Sequence, residues 1–258
     1  MSATDAQPDS VSAGSPAGML EASGLRVRYR NGALGVTDVG LRVPRGQVVA
    51  MFGPNGAGKT TSVRACSGFL RTERASVTAG RVLVDGRDLT GSEPHAFCRR
   101  GVFCIPERGK IFPHLSVADN LSAVRSLPSR QERGAVEARI FELFPIVRDM
   151  LHRQAGRLSG GQQQMLAIAR ALMSRPRYLI IDEMSLGLHV SIIRPLFETV
   201  RAVADDGTGV LVVDESTDVA LDVADYCYVL RAGQVVEEGS PERFRGSELI
   251  AAGYVGES

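Results

Sequence analysis

The chain has 258 residues, 44% hydrophobic and 23% charged, with a formal net charge of +1, which suits one large globular domain or two small ones. Balanced charge speaks against a dedicated nucleic-acid binder, and no apolar run approaches the roughly 20 residues that span a bilayer. Cys66, Cys98, Cys104 and Cys227 lack C-x-x-C spacing and read as thiols of a reducing compartment, not a metal site or disulfide framework.

Met1 to about Gly18 is rich in Ser, Ala, Asp, Gly and Pro, with neither a basic start nor an apolar core. The expectation is a disordered tail, not a secretory signal. From Met19 the sequence predicts short strands at Leu25–Tyr29, Val39–Val43 and Gln47–Phe52, separated by Asn31-Gly32 and Pro44-Arg45-Gly46 turns. Tyr29 can stack on an adenine ring or pack as an ordinary strand tyrosine.

The last of these strands runs into Gly53-Pro54-Asn55-Gly56-Ala57-Gly58-Lys59-Thr60-Thr61, which fits G-x-x-x-x-G-K-[ST]. A helix is expected from Thr60 to Phe69, and strand–loop–helix is the context that motif requires. Glycines let the backbone wrap phosphate oxygens, N–H groups and the helix start face the anion, and Lys59 supplies charge. The Thr60 hydroxyl would hold Mg²⁺.

Arg81–Gly86 reads as a strand ending in a turn, and strand character fades after Ile105. Helices follow at Ser116–Ser126, with Ser116 as cap, and at Ser129–Phe144, bracketed by Pro128 and Pro145. An inserted helical lobe accounts for this stretch. Leu158-Ser159-Gly160-Gly161-Gln162 then opens a helix running from Met165 to Met173. Such a turn is either a second anion-facing set of N–H groups or simply an N-cap. Tyr178–Ile181 is an apolar run closing in Asp182 and Glu183, as a buried parallel strand delivers acids to a ligand crevice. One acid would serve Mg²⁺ and the other the attacking water. Strands at Gly209–Val213, Tyr226–Leu230 and Gln234–Glu237 finish the pattern.

Taken together, the phosphate loop, the Leu158–Gln162 turn and the Asp182–Glu183 pair resemble the nucleotide-binding subunits of ATP-binding cassette (ABC) transporters. The resemblance extends over about residues 19–256. It is most specific toward ATPases of bacterial branched-chain amino acid importers, through Ile105-Pro106-Glu107, Phe112–Val117 with Asn120-Leu121, Gln163–Ile168 and Ser185–Leu188. It implies an α/β fold: a P-loop NTPase (RecA-like) core, an N-terminal antiparallel β subdomain, and an α-helical subdomain inserted at about 89–160. It further implies a cytoplasmic ATPase that uses ATP and Mg²⁺ and sits on the inner face of the membrane through integral permease subunits. Two copies, or one copy and a sister ATPase, would pair head to tail. The signature residues Leu158, Ser159, Gly160, Gly161 and Gln162 of one would then cover ATP on the phosphate loop of the other. Tyr29 matches the adenine-stacking aromatic, Asp182 the Mg²⁺-linked aspartate and Glu183 the catalytic glutamate. No nucleic-acid partner is expected.

Several positions depart from that pattern. Glu107 stands where glutamine is usual, and its carboxylate can still serve Mg²⁺. Glu215, 33 residues after Asp182, occupies the switch position, where histidine or glutamine would donate a hydrogen bond to the γ-phosphate. At ~5 Å and an effective dielectric of ~20, two such negative charges repel by roughly 3 kcal/mol. Glu215 is therefore expected to be protonated in the closed state, turned away, or a cause of slow hydrolysis. Met184 replaces a usual proline. His189 replaces a usual aspartate and either reaches across a dimer or begins a surface helix.

Overall fold

The burial pattern changes at each layer of the fold. The structure, a computed structural model, describes residues 18–124, 128–214 and 217–246. β1 (Met19–Tyr29) and β2 (Leu34–Pro44) pair antiparallel and alternate buried and exposed side chains, as a sheet with one solvated face requires. β3 (Val48–Phe52) is buried at every residue, the mark of a parallel strand covered on both faces. It runs into the phosphate loop and helix α1 (Lys59–Ser67). β4 (Ala75–Val84) and β5 (Arg87–Asp88) rejoin the antiparallel layer, β4 beside β1. After α2 (Pro94–Arg99), β6 (Val102–Ile105) enters the parallel layer.

A helical stretch follows: α3 (Val117–Ser122), α4 (Arg130–Leu143), α5 (Pro145–Asp149) and α6 (Gly160–Leu172). Ser116 caps α3, and Ser129 with Glu132 forms a capping box on α4. β7 (Tyr178–Asp182), α7 (Val190–Asp205), β8 (Gly209–Val213), α8 (Thr217–Val223), β9 (Tyr226–Arg231) and β10 (Gln234–Gly239) come next.

The strands form one ten-stranded sheet in the order β5-β4-β1-β2-β10-β9-β3-β8-β7-β6. From β9 to β6 every pairing is parallel. Two cores lie on its two faces. Val48, Ala50 and Phe52 of β3 face the core shared with α3–α8, while Val49 and Met51 face the one shared with α1 and the antiparallel layer. This is the α/β core with an antiparallel β layer expected from the sequence.

Element edges shift for local reasons. The α6 helix starts at Gly160 rather than Met165, because its capping box closes on Ser159. β4 starts at Ala75, since its polar first half pairs with β1 at the solvated face. The helix expected over Ser116–Ser126 ends at Ser122, and residues 125–127 lie outside the described ones. β6 falls within the stretch read as the helical lobe yet belongs to the parallel sheet. Apart from Gly18, the expected N-terminal tail lies outside the described residues.

Candidate nucleotide-binding site

Parallel strands deliver their carboxyl ends to one edge, where open α/β sheets bind ligands. From that edge leave the phosphate loop after β3, Pro106-Glu107 after β6, Asp182-Glu183 at the end of β7, and Asp214 after β8.

Close backbone packing shapes the phosphate loop. A Cβ on Gly53 would lie 2.3 Å from the Leu230 carbonyl oxygen, so the loop start is pressed against β9. Gly58 takes φ +102 and caps α1 without any side-chain bond, leaving the first-turn N–H groups facing the loop. The Ala57 carbonyl accepts the Gly233 N–H at 2.9 Å, which braces the loop from the β9–β10 turn. Lys59, 5% exposed, donates from Nζ to the carbonyls of Gly53 at 2.6 Å and Pro54 at 3.1 Å. An ammonium has three donors, so the side chain is held at the centre of the cradle with one still to offer. Backbone N–H groups, a helix start and a fixed cation together suit a chain of phosphates.

Thr60, Glu107 and Asp182 line one cavity of about 330 Å³ beside the loop. Asp182 is 3% exposed, and its Oδ1 has no hydrogen-bond partner. Burial pushes this carboxyl above its usual range and Glu107 adds to the rise, against the pull of the Thr60 hydroxyl, Arg64 and Lys59. A buried, unsatisfied oxygen is costly unless it has a ligand. Among the described residues no cluster of three or more His, Cys, Asp or Glu is placed to hold a metal alone. The donor set therefore fits Mg²⁺, which binds through one or two carboxylates and completes its shell with phosphate and water.

Glu183 adopts φ +52, a left-handed conformation costly for a non-glycine residue, and its N–H donates to Val213 at 2.8 Å. The β8 end thus holds in place the turn that carries the carboxylate.

Tyr29 lies half-buried, and its hydroxyl bonds the Thr61 hydroxyl at 2.8 Å. Gly35 makes room for it, since a Cβ there would fall 2.6 Å from Tyr29 Cε2. The aromatic is thereby fixed beside the first turn of α1. Elsewhere, Ser159 caps α6, with its Oγ accepting from Gln162 N–H and its own N–H donating to Gln162 Oε1. Both sequence readings of that turn are compatible with this. The cap uses the hydroxyl only as an acceptor, so its O–H and the N–H groups of Gly160 and Gly161 remain for an anion. These bonds run within the turn and its own helix, not to the phosphate loop of the same chain.

Comparison with known proteins decides the family. The ABC transporter family matches residues 36–185. The chain belongs to that family. BraG, a high-affinity branched-chain amino acid transport ATP-binding protein of Pseudomonas aeruginosa, is 32% identical over 219 residues, covering 85% of this chain and 92% of BraG. LptB, a lipopolysaccharide export system ATP-binding protein of Escherichia coli K12, is likewise 32% identical over 243 residues, covering 92% and 97%. The ADP conformation of MJ1267, an ATP-binding cassette of an ABC transporter, superposes with a TM-score of 0.78 at 25% identity, over 93% and 99% of the two chains. This ABC protein is an ATP-hydrolysing transporter subunit, and none of its described helices is long and apolar enough to cross a membrane.

Not every sequence expectation for the ABC site can be placed. Glu215 lies outside the described residues. His189 begins α7, with Nδ1 meeting the Ser191 hydroxyl at 2.8 Å, as a helix-starting surface histidine would. Met184 is fully buried in the core in place of a proline. Two residues have no distinguishing sequence signal. Asp214 reads as any acid at a strand end. Lys110, whose charge is felt alongside Glu107 and Glu183, sits in a loop with no motif of its own.

Proposed function

We propose that this cassette powers import of branched-chain or other hydrophobic amino acids, or a related small solute, through a separate permease, working as one of two paired ATPase copies. The observation that carries its ATPase chemistry is the shared cavity of Thr60, Glu107 and Asp182 at the phosphate loop, with Asp182 Oδ1 buried and unpaired. BraG and its companion BraF, 31% identical over 259 residues, support the amino-acid reading, and LptB marks the competing one.

In this reading Gly53–Thr61 and Lys59 bind the phosphates, Tyr29 packs against the base, and Thr60, Asp182 and Glu107 hold Mg²⁺. Bound Mg²⁺ neutralises charge on the outer phosphates. Glu183 orients the attacking water and takes its proton as the bond from the γ-phosphorus to the ADP oxygen breaks. Ser159, Gly160 and Gly161 of the partner copy face the same phosphates with donors, so ATP bridges two surfaces and hydrolysis loosens them. The partner is a second copy or a sister ATPase. Leu186 and Val190, 55% and 78% exposed beside the signature turn, suit burial in such a pair. Phe112 and Leu115, 47% and 38% exposed on the Glu107 loop, suit contact with a permease at the inner membrane face.

The test uses Glu183→Gln, which keeps shape but loses the base. With Mg-ATP it should double in mass by light scattering, and Asn55→Cys and Ser159→Cys on separate copies should crosslink only with ATP. A monomer under those conditions, with no crosslink, rejects pairing of two copies, and the absence of an ATP-dependent crosslink to a co-expressed sister ATPase as well rejects the paired engine. Import of a labelled branched-chain amino acid by vesicles carrying the chain and its permease tests the substrate.

A further inference from the structure

Outside the nucleotide cradle, one partly buried polar pair joins two segments that the proposed mechanism needs to move together. Lys110, half-buried, donates from Nζ to Gln164 Oε1. Gln164 is fully buried on α6, five residues after the Ser159 cap, and its Nε2 has no hydrogen-bond partner. Half of a buried amide is thus left unsatisfied so that the other half can meet a cation, an arrangement that packing alone would not favour. Lys110 in turn lies three residues beyond Glu107. Burial lowers its affinity for a proton, while the charges of Glu107 and Glu183 oppose that fall, so the ammonium sits within the field of both carboxylates. A second contact runs in parallel: the Arg170 guanidinium of α6 stacks 4.8 Å from the ring centre of Phe112 on the same loop. Lys110 and Arg170 line a common cavity of about 160 Å³ with Cys104 and Pro106 at the end of β6.

We propose that Lys110 is a positioning residue for ATP hydrolysis: through Gln164 it fastens the signature helix to the Glu107 loop, so that the signature turn and the Mg²⁺-side loop move as one unit when two copies close. This rests on the reading of Ser159–Gly161 as the partner's phosphate contact. The link turns two otherwise separate approaches into one. A signature turn that reached a second copy's nucleotide while the loop lagged would leave Glu107 out of place, and the charge-assisted bond prevents that.

The full-length chain provides the test, with Lys110→Met, Gln164→Leu, the double variant, Lys110→Arg and Ser159→Arg compared by steady-state turnover, thermal unfolding and fluorescent mant-ATP binding. Each single link variant should lower kcat roughly tenfold, the scale of one charged hydrogen bond, and leave mant-ATP affinity within about twofold. Replacing both partners removes the buried polar orphan, so the double variant should recover the unfolding midpoint while kcat stays low. Lys110→Arg should keep most of the turnover. If the double variant regains kcat together with its midpoint, or Lys110→Met turns over at the wild-type rate, the fastening role is overturned. If Ser159→Arg also turns over normally, the paired-site reading falls with it. Loss of turnover in Ser159→Arg alongside normal Lys110→Met removes only the present proposal.

Discussion

Asp214 grips Ser185 with both carboxylate oxygens: Oδ2 accepts the Ser185 N–H at 2.7 Å and Oδ1 accepts its hydroxyl. Asp214 is 1% exposed, while Ser185 is half-buried. It ties the end of β8 to the turn just after Glu183, next to the bond from Glu183 N–H to Val213. Together these bonds hold Glu183 in a left-handed conformation that the local chain disfavours. Asp214→Ala should therefore destabilise the fold by about 1–3 kcal/mol, the cost of unpaired buried groups, in urea unfolding. If Glu183 serves the attacking water as proposed, the variant should also lower kcat more than it raises KM.

Gly58 and Gly56 form a contrasting pair. Both have positive φ, but a Cβ on Gly58 would meet Val36 Cγ1 at 2.7 Å and the Gly35 carbonyl oxygen at 2.8 Å, whereas Gly56 has nothing within 4 Å. Gly56→Ala should cost only the conformational strain of about 1–2 kcal/mol. Gly58→Ala adds overpacking of about 1–3 kcal/mol and displaces the start of α1, so it should also abolish mant-ATP binding. Equal losses of affinity in the two variants would contradict this geometry.

Tyr29 carries two separable contributions. Tyr29→Phe removes the bond to Thr61 and should cost about 0.5–1.5 kcal/mol of stability with ATP affinity nearly intact. Tyr29→Ala also removes the ring and should weaken ATP binding, measured by calorimetry, if the ring packs on the base. Matching affinities for the two variants would assign Tyr29 to the fold alone.

The chemistry-bearing residues that sequence could find share one property: each belongs to a fixed local pattern. The cradle needs glycines beside Lys59, and Asp182 must end an apolar strand, so residue spacing announces both. Lys110 and Asp214 escape that logic. Lys110 gains its meaning from Gln164, 54 positions away, and Asp214 from Ser185, 29 positions away. Strand order was equally hidden, since β3 lies between strands from the far end of the chain. Element types were legible because the period-2 and fully apolar runs mirror the two layers. Their edges were not, because caps such as Ser159 and pairings such as β1 with β4 set them.

Asp85 supplies a pH-dependent contribution remote from the site. Burial alone pushes its carboxyl up, but the Tyr178 hydroxyl at 2.6 Å and the Arg177 guanidinium at 2.9 Å outweigh this and leave it below its ordinary value. A carboxylate lowered in the folded state favours folding above its unfolded pKa of about 3.9, and that contribution fades as pH falls from there through the folded value. Asp85→Asn tolerates the φ of 50° but cannot carry the charge. Because Arg177 is largely exposed, the loss at pH 7 should be small, about 1 kcal/mol. The variant's unfolding midpoint should depend less steeply on pH below about 4 than that of the wild type.

The bracing of the phosphate loop also bears on how the protein is made. β3 ends at Phe52, yet the strands flanking it are Gly209–Val213 and Tyr226–Arg231, and the N–H that steadies Ala57 comes from Gly233. A chain still emerging from the ribosome shows its glycine-rich segment early, with β2 already beside Gly58, but lacks the Leu230 and Gly233 backbone that presses on Gly53 and Ala57 until β9 and the turn after it have been synthesised. The full shape of the cradle is thus reached only when segments made early and late in synthesis have met.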